Sequence, residues 1–224
     1  VNALDAAPLA EAEGLTVSAR SGDLRVEGFG FRLHPGESLV LVGPVDAGSA
    51  VLRAVLGIDP PEAGEVRVLG EQPGTLDRVA AAAVLSRVGW VPRSGALLAN
   101  LTLRENLLLP LQFHRRLDAQ ETARLTSAAL ARFGLEEAPE VRPEAATLSV
   151  RRRVALARAI LLDPDLLVLD DPLDDLEDAV AAQIVSAIAA WARERPRGLL
   201  LATHQPRLAA SLRAPALPLP VTRA

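Results

Sequence analysis

Two kinds of apolar pattern alternate along the chain. Three runs are continuous: Leu39-Val40-Leu41-Val42, Leu166-Leu167-Val168-Leu169 and Leu199-Leu200-Leu201-Ala202. Short runs that are apolar at every position predict strands buried on both faces, as in a parallel sheet covered by helices. Nearer the N-terminus the pattern alternates instead. Leu15-Thr16-Val17 and Leu24-Arg25-Val26 read as half-buried strands joined at Ser21-Gly22-Asp23, and Phe29, Phe31 and Leu33 continue the alternation up to Pro35-Gly36. Residues 65–69 and Val88-Gly89-Trp90-Val91-Pro92 are further strand candidates. Helical spacing predicts helices over 49–56, 75–85, 149–162, 178–193 and 206–212. Residues 94–148 are mostly helical in pattern, with Asn100-Leu101-Thr102 before 103–109 and an amphipathic stretch over 119–133. Strands alternating with helices predict an α/β fold with a parallel core. The expected organisation is a core formed by 14–93 and 154–212, an inserted helical subdomain at 94–153, a loose leader at 1–13 and an irregular proline-rich tail at 213–224.

Composition narrows the function classes. A chain of 224 residues, half of them apolar, can bury a full core as one domain. The net charge of −4 supplies no global basic field, so nucleic acid is not an expected partner. Without cysteine there is no disulfide and no thiolate metal site. No apolar run approaches the roughly 18–20 residues of a spanning helix, and the acidic, alanine-rich start lacks a signal pattern. The expectation is a soluble cytosolic protein. All 24 basic residues are arginine; lysine, tyrosine and methionine are absent. Codon bias accounts for such drift on a surface, but not for the loss of a lysine that chemistry requires.

That loss matters at one stretch. Gly43 and Gly48 stand after a buried strand and before a helix, at the spacing of the phosphate-binding loop G-x-x-x-x-G-K-[S/T]. Such a loop holds phosphates with backbone N–H groups, a lysine and a hydroxyl that reaches Mg²⁺. Counted from Gly43, the loop contains Pro44 and Asp46, its lysine position is Ser49 and its hydroxyl position is Ala50. The backbone N–H groups of 48–50 need no side chain, so binding without hydrolysis stays open. Asp170 and Asp171 end the second buried run, and His204 follows the third. His34 and His114 lack such context and read as surface residues.

The block Arg153-Val154-Ala155-Leu156-Ala157-Arg158-Ala159-Ile160-Leu161-Leu162-Asp163-Pro164-Asp165-Leu166-Leu167-Val168-Leu169-Asp170-Asp171-Pro172-Leu173, in order with the loop remnant and Ala202-Thr203-His204, resembles the ATP-binding subunit of an ABC transporter. The resemblance covers roughly 15–207. It implies a P-loop NTPase RecA-like core with an N-terminal antiparallel β subdomain and an inserted helical subdomain, with ATP and Mg²⁺ as cofactors. It also implies that Asp170 is the Walker B carboxylate near Mg²⁺, that Asp171 takes the place of the catalytic glutamate with one methylene fewer, and that His204 is the switch histidine on the γ-phosphate. Leu148-Ser149-Val150-Arg151-Arg152-Arg153 stands where the signature Leu-Ser-Gly-Gly-Gln belongs, keeping Ser149 and lacking both glycines. Arg93 holds the Q-loop glutamine position, Ala19 the adenine-stacking aromatic position, and Asp174-Asp175-Leu176-Glu177 an altered loop after Walker B.

Members of the family dimerise head to tail. The resemblance therefore implies a homo- or heterodimer on an integral-membrane permease, peripheral on the inner face of the cell membrane. Residues 94–111 resemble the permease-contacting region, with a leaning to the lipid systems linked to MCE proteins. The expected role is a degenerate subunit, a pseudo-ATPase acting as scaffold or regulator. The alternatives are an active ATPase in which Arg93 or 151–153 replace lost contacts, and a stand-alone interaction protein.

Overall fold

The computed structural model describes residues 6–114 and 117–223, the side chain of His114 excepted, so the surface reading of that histidine lies outside the described residues. The N-terminal alternation folds as antiparallel sheet. β1 (Ala10–Ser18) and β2 (Leu24–Leu33) pair with Leu15 opposite Phe29 and Val17 opposite Val26. Of the leader expected at 1–13, residues 1–5 lie outside the described residues, and the part from Leu9 on gives way to strand: Leu9 N–H donates to Leu33 O, and Ala10 and Ala12 are buried. Alanines alternate there with glutamates, and alanine carries little strand signal, which hid the pattern. β3 (Ser38–Val42) leads into α1 (Val45–Val55), which begins four residues before the expected start. β4 (Ala63–Val68) pairs with the free side of β1. A 3₁₀ turn at Pro73–Thr75 precedes α2 (Arg78–Leu85), whose N-terminal amides of Val79 and Ala80 donate to Asp77. That cap moves the helix start from 75 to 78.

β5 (Val88–Val91) is followed by α3 (Leu103–His114), α4 (Ala119–Arg132) and α5 (Leu148–Ile160). Thr102 and Glu105 form a reciprocal cap at the start of α3, and the chain stays helical through Pro110. β6 (Leu166–Asp170), α6 (Asp178–Arg193), β7 (Gly198–Thr203) and α7 (Arg207–Leu212) complete the alternation close to the expected bounds. The tail expected to be irregular at 213–224 contains two strands within its described residues. β8 (Ala216–Pro218) pairs parallel with β3, and β9 (Val221–Arg223) pairs antiparallel with β2. The prolines occupy edge positions that need no ladder N–H. Among the described residues the central sheet has the order β5-β6-β7-β3-β8, every pair parallel, and the antiparallel sheet the order β4-β1-β2-β9.

The continuous apolar runs are explained by the core. Leu166, Val168, Leu200 and Ala202 face one cluster with α1 and the antiparallel sheet. Leu167, Leu169, Leu199 and Leu201 face a second cluster built with α3 to α7. Alternate residues of one strand thus bury on opposite sides. Among the described residues no helix is long and apolar enough to cross a membrane. His34 is half-buried, its Nδ1 3.0 Å from Ala6 O. Leu219, between the last two strands, is 8% exposed and its N–H donates to Val42 O at 2.9 Å. Leu219→Ala is therefore expected to lower unfolding stability by about 2 kcal/mol or more in urea titration, whereas the same change in an irregular tail would stay within about 0.5 kcal/mol.

Candidate functional site

The C-terminal ends of β3, β5, β6 and β7 reach one edge of the sheet, where open α/β sheets place their ligands. Gly43 follows β3, Arg93 follows β5, Asp170 and Asp171 stand at the end of β6, and Thr203 and His204 at the end of β7. Ser149 lies elsewhere, in the first turn of α5, where its hydroxyl accepts from Arg153 Nε at 3.3 Å.

Only Gly43 and Pro44 separate β3 from α1. Gly48 N–H donates to Pro44 O at 3.0 Å, inside the helix. The amides of Ser49 and Ala50 come after it, beyond the first-turn donors that a helix leaves unpaired. The phosphate-cradling amides expected at 48–50 are thus absorbed by helix. Asp46 is exposed in the first turn of α1, where its charge offsets the positive helix end and opposes an anion. Gly48 packs on β7: a Cβ there would stand 2.9 Å from that of Ala202. Gly43 donates its N–H to Thr203 O at 3.1 Å. A Cβ on Gly43 would stand 3.1 Å from the side chain of Leu219. Both glycines therefore serve close packing.

Ser49 Oγ donates to Asp170 Oδ2 at 2.7 Å, both residues buried. The hydroxyl expected to be lost at Ala50 is thus supplied one residue earlier, and the lysine position assigned to Ser49 does not hold a phosphate-facing side chain. Counting from the strand hid this, because the helix sets which side chain faces β6. Burial pushes the Asp170 carboxyl up; the Ser49 bond and the Arg93 backbone N–H oppose it, and the Asp171 carboxylate adds to the rise.

Asp171 is 1% exposed and has left-handed backbone, φ 44°. Its Oδ1 accepts from Thr203 Oγ1 at 3.0 Å, and its Oδ2 lies 2.6 Å from His204 Nδ1. The expected general base is held against β7 by both oxygens. The Arg93 side chain is bound to Asp174, with Nε and Nη2 at 3.1 and 2.7 Å from Oδ2. The hydrogen bond to Asp174 raises the Arg93 pKa above its ordinary value. Asp171, Asp174 and His204 offer ligand atoms within 4.8 Å of one another, but each already has a partner in this network. Ala19 is buried in the β1–β2 turn, its N–H on Leu24 O, and offers no platform for a base. Motif reading quoted Thr203 only as the neighbour of His204, without a role, and missed Leu219. A polar residue closing an apolar strand and the Leu217/Leu219 alternation were the available signals.

These residues do not fit Mg²⁺-ATP as a phosphate loop does: the loop amides are helical, Asp46 stands at the helix end, and the chain has no lysine.

Residues 26–174 match the ABC transporter family. The lipoprotein-releasing system ATP-binding protein LolD of Chromohalobacter salexigens is 33% identical over 205 residues, 88% of this chain and 85% of that protein. The chain belongs to the ABC transporter ATP-binding family. The macrolide export ATP-binding/permease protein MacB of Marinobacter nauticus is 30% identical over 90% of this chain and 32% of that protein. The fold of this ABC subunit is that of the ATP-binding cassette MJ0796 in its dimeric ADP- and Pi-bound structure, with TM-score 0.83, 22% identity and 94% of each chain covered.

Two substitutions test the reading of α1 in this ABC subunit. Ser49→Ala leaves Asp170 without its side-chain donor and is expected to cost about 1–3 kcal/mol in denaturant unfolding. Gly48→Ala is expected to destabilise despite better helix propensity, and Ala202→Gly in the same chain to recover most of the loss.

Proposed function

We propose that this chain is a catalytically silent ATP-binding-cassette subunit, acting as scaffold or regulator on a membrane permease. The observation that carries the reading is the start of α1 at Val45, which converts the phosphate loop into helix and buries position 49 against Asp170. The paired state of Asp171 supports it, since a general base must reach its water within about 2.6–3.2 Å. Replacement by arginines finds little support: Arg93 is bound to Asp174, Arg152 to the carbonyl of Arg93, and Arg153 to Phe133 O and Gln183.

Docking on a permease is supported by residues 94–113. Arg158 fixes the carbonyls of Gly95 and Ala96, both at 2.8 Å, and buried Asn106 bonds Leu98, Leu101 and Thr102. Leu98 and Phe113 on this segment are exposed, at 48% and 79%. The roles of the relatives, lipoprotein release and macrolide export by an ATP-binding/permease protein, support a permease partner and a lipid-bearing cargo. The subunit sits peripherally on the inner face of the membrane and dimerises with itself or with another cassette.

Titration calorimetry with Mg-ATP tests the silent site. No saturable Mg-dependent heat is expected up to millimolar nucleotide. Ser49→Lys/Ala50→Thr is expected to gain none, because position 49 is buried. Micromolar Mg-dependent binding by the parent chain would contradict the proposal.

A further inference from the structure

Two cavities on the α6–α7 face run into one another. The first, of about 580 Å³, lies between α6 and α7, and the second, of about 620 Å³, lies between the end of α6 and the start of β3. Ala189, Arg193 and Arg213 line both, so the two form one groove. It follows α6 from Asp178 to Arg193, a span of roughly 22 Å at the helical rise. Ala181, Val185, Ala189 and Leu208 supply an apolar lining. Arg193, Arg207 and Arg213 make the same groove basic, and all three are exposed. The guanidiniums of Arg193 and Arg213 have no hydrogen-bond or ion-pair partner among the described residues, and that of Arg207 has only Gln205 and a 3.5 Å contact to Asp178. Arg213 holds left-handed backbone, φ 54°, at the end of α7, where glycine is the usual occupant. The chain as a whole has a net charge of −4, so this cluster of cations stands out against an acidic protein.

We propose that this groove receives an acidic amphipathic helix of a partner protein other than the permease. Charge complementarity assigns the acids, because each unpaired guanidinium presents a planar fork of donors that matches a carboxylate. The apolar lining takes a leucine- or alanine-bearing face between those acids. The walls of the first cavity come mainly from α6 and α7, which spend their backbone groups within their own helices. An occupant therefore finds no strand ladder on those walls and must satisfy its own backbone, as a helix does. No aromatic side chain lines either cavity to stack a base, and Asp178 and Glu37 on the lining oppose a polyanion. Asp178 stands at the start of α6 and Arg193 at its end, so the acids of the occupant belong at the Arg193 and Arg213 end. None of residues 43–50 or 94–113 lines the groove, so the surface goes beyond the silent cassette and its permease contact and stands independently of both.

The test is fluorescence anisotropy of the full chain with labelled synthetic helical peptides of about 16 residues, the length that spans the groove. The peptides share one leucine–alanine face and carry glutamate, glutamine or lysine along its borders. The glutamate peptide is expected to bind saturably, the glutamine peptide at least tenfold more weakly, and the lysine peptide not at all. Arg193→Gln/Arg213→Gly is expected to weaken the glutamate peptide about tenfold. Both positions are exposed and glycine suits the backbone at 213, so the double variant keeps the fold. Arg78→Gln, an exposed change on α2 outside the groove, is expected to leave binding unchanged. Absence of saturable binding by the glutamate peptide, equal binding of the three peptides, or equal binding by parent and double variant overturns the proposal. Phosphatidylglycerol vesicles that bind the parent but not the double variant, while the glutamate peptide binds neither, overturn it in favour of a membrane surface.

Discussion

The seating of α1 on the parallel sheet is the contact on which the rest of the site depends. Gly48 allows the helix to approach Ala202 of β7, and Ser49 completes the approach with a buried hydrogen bond to Asp170 of β6. A helix pinned at these two residues must begin close to Gly43, and it does so at Val45. Backbone amides that would stand free in a phosphate loop then have carbonyl partners. Burial of Ser49 follows from the same seat. On the proposed reading, the packing that stabilises the core is also what closes the phosphate cradle.

A second set of bonds arranges the neighbouring loops. Arg93 joins the end of β5 to Asp174, and His204 with Thr203 holds Asp171 to β7. Groups that a catalytic site would direct at water and phosphate are directed at one another. The chain keeps the architecture of the ABC family while its polar side chains close the edge of the sheet. Charge is redistributed as well: the start of α1 carries an acid, and Arg151, Arg152 and Arg153 near the start of α5 have no carboxylate partners among the described residues.

Most of the fold was legible because burial on both faces leaves an unmistakable trace. Leu39 to Val42, 166–169 and 199–202 had to be apolar at every position to fill two clusters at once, and each is a central strand. Strands that bury one face with small residues were not legible: Ala10 and Ala12 carry little propensity, and the proline-spaced Leu217 and Leu219 look like loop until a neighbouring strand supplies the ladder. At the site, the identities of Asp170, Asp171 and His204 could be read from their places after buried runs. Their partners could not. The register of α1 places Ser49 rather than Ala50 on Asp170, and that register is decided by contact with β7, which lies about 150 residues away in the sequence.

Amide hydrogen exchange across residues 43–50, with and without Mg-ATP, tests most directly the claim that helix has replaced the phosphate loop. The account predicts that the amides of Gly48, Ser49 and Ala50 are protected as helical amides in the free chain and that nucleotide leaves their rates unchanged. Fast exchange in the free chain followed by strong protection on adding Mg-ATP would contradict it, because it would reveal a loop with open donors that closes on phosphate.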